Sequence, residues 1–310
     1  MQLIRGIHNI RESHKGCVLT IGNFDGVHLG HQRVIKELIK KADSLNLIPA
    51  VMVFEPQPQE LFNPQMAPAR LSRLRDKYSL LKRFGVKRLI CVNFNHEFAS
   101  QSAEQFIERL MVQQLDVKHL IIGDDFRFGK NRLGNFAMLQ SAGQEFGFEV
   151  TDTASYKMLD CRISSTEIRK ALQIDALADA EKMLGRKYSI IGRVVHGDKQ
   201  GRNLGFPTAN VLLKRCVSPV AGVYVVQVRI RDKHVFGVAN IGSRPTVNGV
   251  RQQLEVHIFD FKDDLYGQQI EVTLLKKLRS EQKFASLDEL TTQIAKDSEQ
   301  ARRYLREELK

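Results

Sequence analysis

Gly22 to His31 reads G-N-F-D-G-V-H-L-G-H and follows an apolar run, Cys17 to Ile21. A strand that turns into a helix at such a stretch is a place to hold phosphate. The first backbone N–H groups of a helix lack intrahelical partners, and the macrodipole favours negative charge there. Glycines 22, 26 and 30 permit close backbone approach. His28 and His31 fall on one face of the helix start, where two imidazoles can donate hydrogen bonds to one phosphate group. The glycine spacing is neither G-x-G-x-x-G nor G-x-x-x-x-G-K-[ST], so neither a dinucleotide fold nor a Walker-type loop is indicated. Three plainer readings stand beside this one. They are a zinc site sharing Asp25, for which no further ligand lies near in sequence; a helix capped by Asp25 with exposed histidines; and a glycine-rich turn of structural use alone.

The chain around this turn alternates short apolar runs with helical patterns. Cys17 to Ile21, Ile48 to Phe54, Arg88 to Val92 and His119 to Ile122 read as strands, and Ala103, Phe106, Ile107, Leu110 and Met111 recur at helical spacing. That alternation predicts a parallel sheet covered by helices, with ligands at the carboxyl ends of the strands, where Gly22 to His31 lies. Beyond Gly185 the rhythm changes to strands rich in β-branched residues: Ser189 to Val195, Gly222 to Ile230, His234 to Ile241, Leu254 to Phe259 and Ile270 to Leu275. These predict a small antiparallel barrel closed by a final amphipathic helix carrying Leu287, Leu290, Ile294, Ala301 and Leu305. The expected domains are 1–184 and 185–310.

Composition narrows the function classes. The 310 residues suffice for two domains, each with its own core. Four scattered cysteines (17, 91, 161 and 216) without a C-x-x-C argue against a disulfide framework or a thiolate zinc site and point to a reducing, cytoplasmic setting. The longest apolar run, Leu47 to Phe54, is too short to span a bilayer, so neither export nor membrane insertion is expected. The net charge of +12 invites a nucleic-acid reading, but the basic residues are spread along the chain and no stacking-aromatic pattern accompanies them. An anionic small molecule such as ATP is equally served by a basic surface, and no nucleic-acid partner is expected. Oligomeric state is not legible.

Two further motifs belong with the glycine-histidine turn. G-D-D-F-R-F-G (Gly123 to Gly129) follows the His119 strand and opens at the same sheet edge; its plainer reading is an acidic loop with two buried phenylalanines. R-I-S-S-T-E-I-R (Arg162 to Arg169) has Ser164 three residues before Glu167, the look of a capping box, yet hydroxyls between two arginines at a helix N-terminus also make an anion site.

H-x-G-H at a strand-to-helix turn with a later S-S-T-x-I-R resembles the nucleotidylyltransferase superfamily. G-x-F-D-G-x-H-x-G-H with that segment is similar to the adenylyltransferase module of bacterial bifunctional riboflavin kinase/FAD synthetases. The second half agrees independently: G-R-V-V-H-G-D-K-Q-G-R-N-L-G-F-P-T-A-N (Gly192 to Asn210), G-V-Y (Gly222 to Tyr224), N-I-G-S-R-P-T (Asn240 to Thr246) and E-V-H-I-F-D-F (Glu255 to Phe261) stand in the order of the flavokinase module. The resemblance covers nearly the whole chain. It implies a nucleotidylyltransferase-like α/β domain followed by a flavokinase barrel. The implied activities convert riboflavin to FMN and FMN to FAD, with ATP as co-substrate and Mg2+ as cofactor.

The resemblance also implies the site residues. His28 and His31 go to the phosphates within the loop of Gly22, Phe24, Asp25 and Gly26; Arg162, Ser164, Ser165, Thr166 and Arg169 go to the triphosphate and the leaving pyrophosphate; Asp125 goes to the nucleotide or flavin phosphate region. The family often has Asn at the Asp125 position, and a carboxylate cannot donate to a phosphate unless protonated. F-E-P-Q-P (Phe54 to Pro58) likewise carries Gln57 where histidine is common, so a side-chain amide replaces an imidazole. In the barrel half, Glu255 is implied as the base for the ribityl hydroxyl, Thr208 and Asn210 as oxygen ligands of Mg2+, and Gly201, Gly205 and Pro207 as the phosphate loop. Leu254, Val256 and Ile258 alternate with Glu255, His257 and Phe259, which places Glu255 opposite the aliphatic face. Two other classes compete: an aminoacyl-tRNA synthetase-like adenylate former, disfavoured by a short chain with no lysine between Arg162 and Arg169, and a non-enzymatic flavin-binding protein, disfavoured by the intact set of Glu255, Thr208, Asn210, His28 and His31.

Overall fold

The computed structural model describes residues 1–123, 125–153, 157–158, 161–197, 205–213, 217–246 and 249–308, with backbone alone at 157–158, 161–162, 243–246 and 249–251. It divides into two compact units, Met1–Pro68 with Ser72–Ser165 and Ala69–Leu71 with Thr166–Lys310.

In the first unit, the described strands β1 (Gln2–Arg5), β2 (Cys17–Ile21), β3 (Ile48–Glu55), β4 (Arg88–Asn93), β5 (Val117–Gly123) and β6 (Glu149–Thr153) form a sheet of order β1-β4-β3-β2-β5-β6. Every neighbouring pair is parallel. Central β2 is buried at all five positions, as a strand covered on both faces must be. On one face, α1 (Leu29–Ser44) buries Ile35, Leu38 and Ala42 against Val18, Val51 and Ile121, in a core shared with Leu81. Leu81 lies on α3 (Leu74–Arg83), which follows the short α2 (Pro58–Phe62). The other face is covered by Phe106, Ile107, Leu110 and Met111 together with Leu139 and Ala142. After α4 (His96–Ala99), the first four belong to a helix that starts as α5 (Ala103–Gln105) and continues with π-helical bonding over Phe106–Gln114. Leu139 and Ala142 belong to α6 (Phe136–Phe146).

The expected strands are present, and two edge strands join them. β1 has four residues and β6 reads E-V-T-D-T with no buried position, so neither carries an apolar run to detect. A two-stranded ribbon of β7 (Lys157–Met158) and β8 (Cys161–Arg162) leads to α7 (Ser165–Gln173) and α8 (Leu177–Leu184).

In the second unit, β9 (Ser189–Val195), β10 (Ala209–Leu212), β11 (Gly222–Ile230), β12 (Lys233–Thr246), β13 (Gly249–Ile258) and β14 (Gln269–Arg279) close into an antiparallel barrel of order β10-β13-β12-β11-β14-β9, with β10 paired back to β9. The sequence expectation lacked β10, a four-residue strand directly after Pro207 and Thr208. The barrel core of Val211, Tyr224, Val226, Leu254, Val256 and Val272 also takes in Ile168, Leu172, Ala180 and Leu184, so α7 and α8 pack with the barrel. Tyr224 Oη donates to Asp175 Oδ1 at 2.8 Å, and Lys277 Nζ donates to Asp175 Oδ2 at 2.7 Å, which fastens the α7–α8 turn to β11 and β14. The last helix, α9 (Leu287–Glu308), buries Ala301 and Leu305 against Val225 and Phe259. It is held by Arg279 on buried Asp297 (Nη2–Oδ2 2.8 Å) and by Arg302 on Asp260.

Candidate active sites

The glycine-histidine turn sits at the carboxyl end of β2, as expected, but its cap differs from one of the alternatives. The N-cap of α1 is His28 and not Asp25: His28 Nδ1 accepts from the backbone N–H of His31 at 3.3 Å. This makes Nε2 the proton-bearing nitrogen of a neutral His28. The two imidazoles stack with centroids 3.6 Å apart and planes 19° apart, and the Phe24 ring lies 4.9 Å from His31. Stacked this closely, the rings are poor hosts for two positive charges. Burial, the adjacent His28 and the ammonium of Lys77 push the His31 pKa well below the usual histidine value. His31 is therefore available as a neutral N–H donor. His31 Nδ1 is buried with no hydrogen-bond partner among the described residues.

Asp25 is buried, and its Oδ1 accepts from Ser72 N at 2.9 Å and from Ser72 Oγ at 3.1 Å. The Asp25 carbonyl accepts from Ser165 Oγ at 2.9 Å. Gly26 takes φ +80°, a left-handed conformation that suits glycine. A Cβ at Gly30 would stand 3.2 Å from the His28 ring, so the helix start needs glycine to make room for that imidazole. Gly22 lies immediately beyond β2, beside the Phe24 ring. Ser164 and Ser165 belong to the first unit; Thr166 and Arg169 lie on α7 in the second, where Arg169 Nε donates to Ala69 O at 2.6 Å. Arg162 is described as backbone in β8 alone. Asp125 is exposed in the loop after β5, and Asp124 lies outside the described residues.

Sequence reasoning missed two features of this edge, a buried lysine and a row of aromatic rings, and singled out Gln57 without its burial. Lys77, on α3, is completely buried. Gln57 is buried at the N-cap of α2, and its Nε2 has no partner among the described residues. A row of phenylalanines also runs along the carboxyl ends of β3, β4 and β5. Phe54 meets Phe94 at 5.5 Å, Phe94 meets Phe62 at 5.9 Å, and Phe106 meets Phe128, itself 5.6 Å from Phe126. Phe62 is 62% exposed, a large ring left uncovered beside others. The spacing signal was lost because these rings come from separate elements: Phe54 from β3, Phe62 from α2, Phe94 from the turn after β4 and Phe106 from the helix after α5.

In the barrel, Asn210 on β10 stands opposite Glu255 on β13 in the antiparallel register. Leu254, Val256 and Ile258 face the core while Glu255 and His257 are half-buried on the other side, as the alternation predicts. Asn210 Oδ1 accepts from Gln253 Nε2, and a Cβ at Gly197 would overlap the Asn210 carboxamide, so the chain runs tightly against it. His257 Nδ1 donates to Pro207 O at 3.0 Å and fixes the segment that leads into Thr208. A cavity of about 370 Å³ is lined by Thr208, Val256, Ile258, Asp264 and Tyr266 among others. Gly205 has φ +83° and open space around it, while Gly201 lies outside the described residues. Among the described residues no cluster of three or more His, Cys, Asp or Glu could hold a metal. Two neutral oxygens, from Thr208 and Asn210, fit Mg2+, a hard cation that keeps several ligands from water and substrate phosphates.

Each half matches a family on its own fold. Residues 10–167 match the FAD synthetase family model and residues 184–305 the riboflavin kinase family model. The chain is 55% identical over 305 residues to the bifunctional riboflavin kinase/FMN adenylyltransferase of Haemophilus influenzae, covering 98% of this chain and 99% of that one. The chain belongs to the bifunctional riboflavin kinase/FMN adenylyltransferase family. The Pseudomonas fluorescens protein of the same description is 48% identical over 303 residues, with 97% of each chain covered. A crystal structure described as a macrolide-efflux protein from Streptococcus pneumoniae shares the fold along 97% of this chain and 99% of that one, with a TM-score of 0.80 and 32% identity. Among the described residues of the present family member, no helix is long and apolar enough to cross a membrane.

Proposed function

We propose that the barrel unit transfers the γ-phosphoryl group of ATP to riboflavin, giving FMN and ADP. The parallel-sheet unit then transfers the adenylyl group of a second ATP to FMN, giving FAD and pyrophosphate. The observation that carries this reading is one chain holding both matched segments in order, 10–167 on the sheet and 184–305 on the barrel. On this reading the functional modules are 1–184 and 185–310.

In the kinase reaction Glu255 accepts the proton of the terminal ribityl hydroxyl as that oxygen attacks phosphorus. Its place opposite Asn210 supports this role, because base and phosphate ligands must converge on the same few ångströms. Thr208 and Asn210 would hold Mg2+, which supplies charge neutralisation on the transferring phosphoryl group. Gly201, Gly205 and Pro207 are assigned to the loop over the ATP phosphates. In the adenylyl transfer a phosphate oxygen of FMN attacks the α-phosphorus of ATP and pyrophosphate departs. His28 and His31 donate N–H groups to the phosphate oxygens as charge accumulates, a preorganised arrangement that needs no covalent intermediate. The assignment of Arg162, Ser164, Ser165, Thr166 and Arg169 to the triphosphate, and of Asp125 to the flavin phosphate region, rests on the family resemblance. The uncovered Phe62 and its neighbours suit the flat face of the isoalloxazine ring. The partners are small molecules, without nucleic acid, and the setting is the cytoplasm, in keeping with scattered cysteines.

The test is to incubate the full chain with riboflavin and Mg-ATP and to follow products by chromatography. FMN appearing first and FAD following is expected. FMN without FAD would remove the adenylyltransferase assignment, and absence of both would overturn the reading.

A further inference from the structure

The loop before α1 is strained and enclosed at once. Phe24 has φ +46° and Val27 has φ +42°, both in the left-handed region that side chains avoid, a β-branched one above all. Residues 24 to 28 are nonetheless all buried. Such backbone persists only where surrounding bonds over-determine it, and an observed outlier of this kind is grounds for a functional hypothesis. Three of those bonds meet at one residue from distant sequence, Ser72, beside the bonds of Ser165 Oγ to the Asp25 carbonyl and of Gln32 Nε2 to the Val27 carbonyl. Ser72 Oγ accepts from Gly26 N at 2.8 Å and donates to Asp25 Oδ1 at 3.1 Å, while Ser72 N donates to the same carboxylate oxygen at 2.9 Å. Ser72 is itself buried, with 3% of its surface exposed. Two residues beyond this clamp comes His28, whose ring caps α1 and stacks on His31. The clamp and the phosphate-facing imidazoles are thus parts of one short, rigid segment.

We propose that Ser72 is a positioning residue for adenylyl transfer. Its hydroxyl holds the Asp25–Gly26 peptide in the strained form that sets the His28 and His31 N–H groups where the α-phosphate and pyrophosphate oxygens develop charge. Ser72 touches no substrate. Its effect falls on the rate of the transfer step, because misplaced donors weaken the transition state more than the bound ground state. This inference rests on the assignment of FMN adenylylation to the His28 and His31 site.

The experiment measures FMN adenylylation by the full chain carrying Ser72→Ala, Ser72→Cys or Ser72→Thr, with riboflavin phosphorylation by the same preparations as the control. The folded fraction of each preparation is determined from thermal unfolding of the first unit, and rates are expressed per folded chain. The alanine variant should lose kcat on the order of tenfold with KM for ATP changed less than about threefold. Cysteine, close in volume but a weak acceptor, should behave like alanine, and threonine, which keeps the hydroxyl, should restore kcat. Wild-type FAD formation with alanine and cysteine variants within about twofold of it would overturn the role of Ser72 alone. A rise confined to KM would also overturn it, since that marks lost binding rather than lost positioning. Absence of FAD formation by the wild type would overturn the underlying site assignment and this inference with it.

Discussion

Gly30→Ala separates stability from catalysis at the adenylyl site. Alanine in place of glycine near the start of α1 removes a conformational-entropy penalty of up to about 1 kcal/mol. Against that gain, the new Cβ stands 3.2 Å from Cε1 and Nδ1 of His28 and 3.6 Å from the Ile163 carbonyl. The imidazole must give way by a few tenths of an ångström. It cannot do so freely, because its Nδ1 takes the His31 N–H and its face lies on the His31 ring. A misplacement of about 1 Å in a catalytic group costs on the order of 100-fold in rate, so a shift of about 0.3 Å corresponds to roughly fourfold. The expected outcome is a melting temperature close to wild type and FMN adenylylation reduced about fourfold in kcat. Riboflavin phosphorylation should be unchanged. The assay is FAD formation from FMN and Mg-ATP, with thermal unfolding followed in parallel. Unchanged adenylylation would refute the claim that the His28 ring must be held where it stands.

Three further outcomes follow from other parts of the molecule. Gln57→Met removes a buried donor that has no partner among the described residues, so stability should hold or rise by about 1 kcal/mol in chemical denaturation, while KM in adenylylation rises severalfold. Asp297→Ala leaves the Arg279 guanidinium without its buried carboxylate and should cost about 3–5 kcal/mol in calorimetric unfolding of the barrel unit. Burial is the largest cause of the lowered pKa values of His14, His31 and His119 in the first unit. The unfolded chain therefore binds more protons than the native one once pH falls through the ordinary histidine value of about 6.5. Stability of that unit should be flat above pH 7 and decline as pH drops below 6.5, measured by urea midpoints; stability rising over that interval would contradict the burial of these rings.

The sequence made the interior of both folds legible because buried strands leave dense apolar runs, as in Cys17–Ile21 and Gly222–Ile230. It was silent where a strand is short or polar: β6 has no buried residue, and β10 begins just after a proline that looks like a turn. The helical spacing of Phe106 to Met111 was right about the buried face, although the hydrogen bonding there is π-helical, a distinction that periodicity does not carry. At the adenylyl site, His28 and His31 could be read because a local motif holds them. Ser72 could not, since its partners lie 46 and 47 positions away, and the Phe54–Phe94–Phe62 row is assembled from a strand, a turn and a helix apart in sequence. The role of Asp25 as a candidate cap failed for a related reason. The loop spends extra residues in left-handed conformations before the helix begins, which moves the cap to His28.

The central claim is that each functional module, 1–184 and 185–310, performs one reaction. It is tested most directly by parallel time courses of riboflavin with Mg-ATP and of FMN with Mg-ATP, for the wild type, Glu255→Ala and the His28→Ala/His31→Ala double variant. The account predicts that Glu255→Ala makes no FMN from riboflavin yet converts supplied FMN to FAD, and that the double histidine variant accumulates FMN without FAD. Loss of both reactions in either folded variant would contradict it.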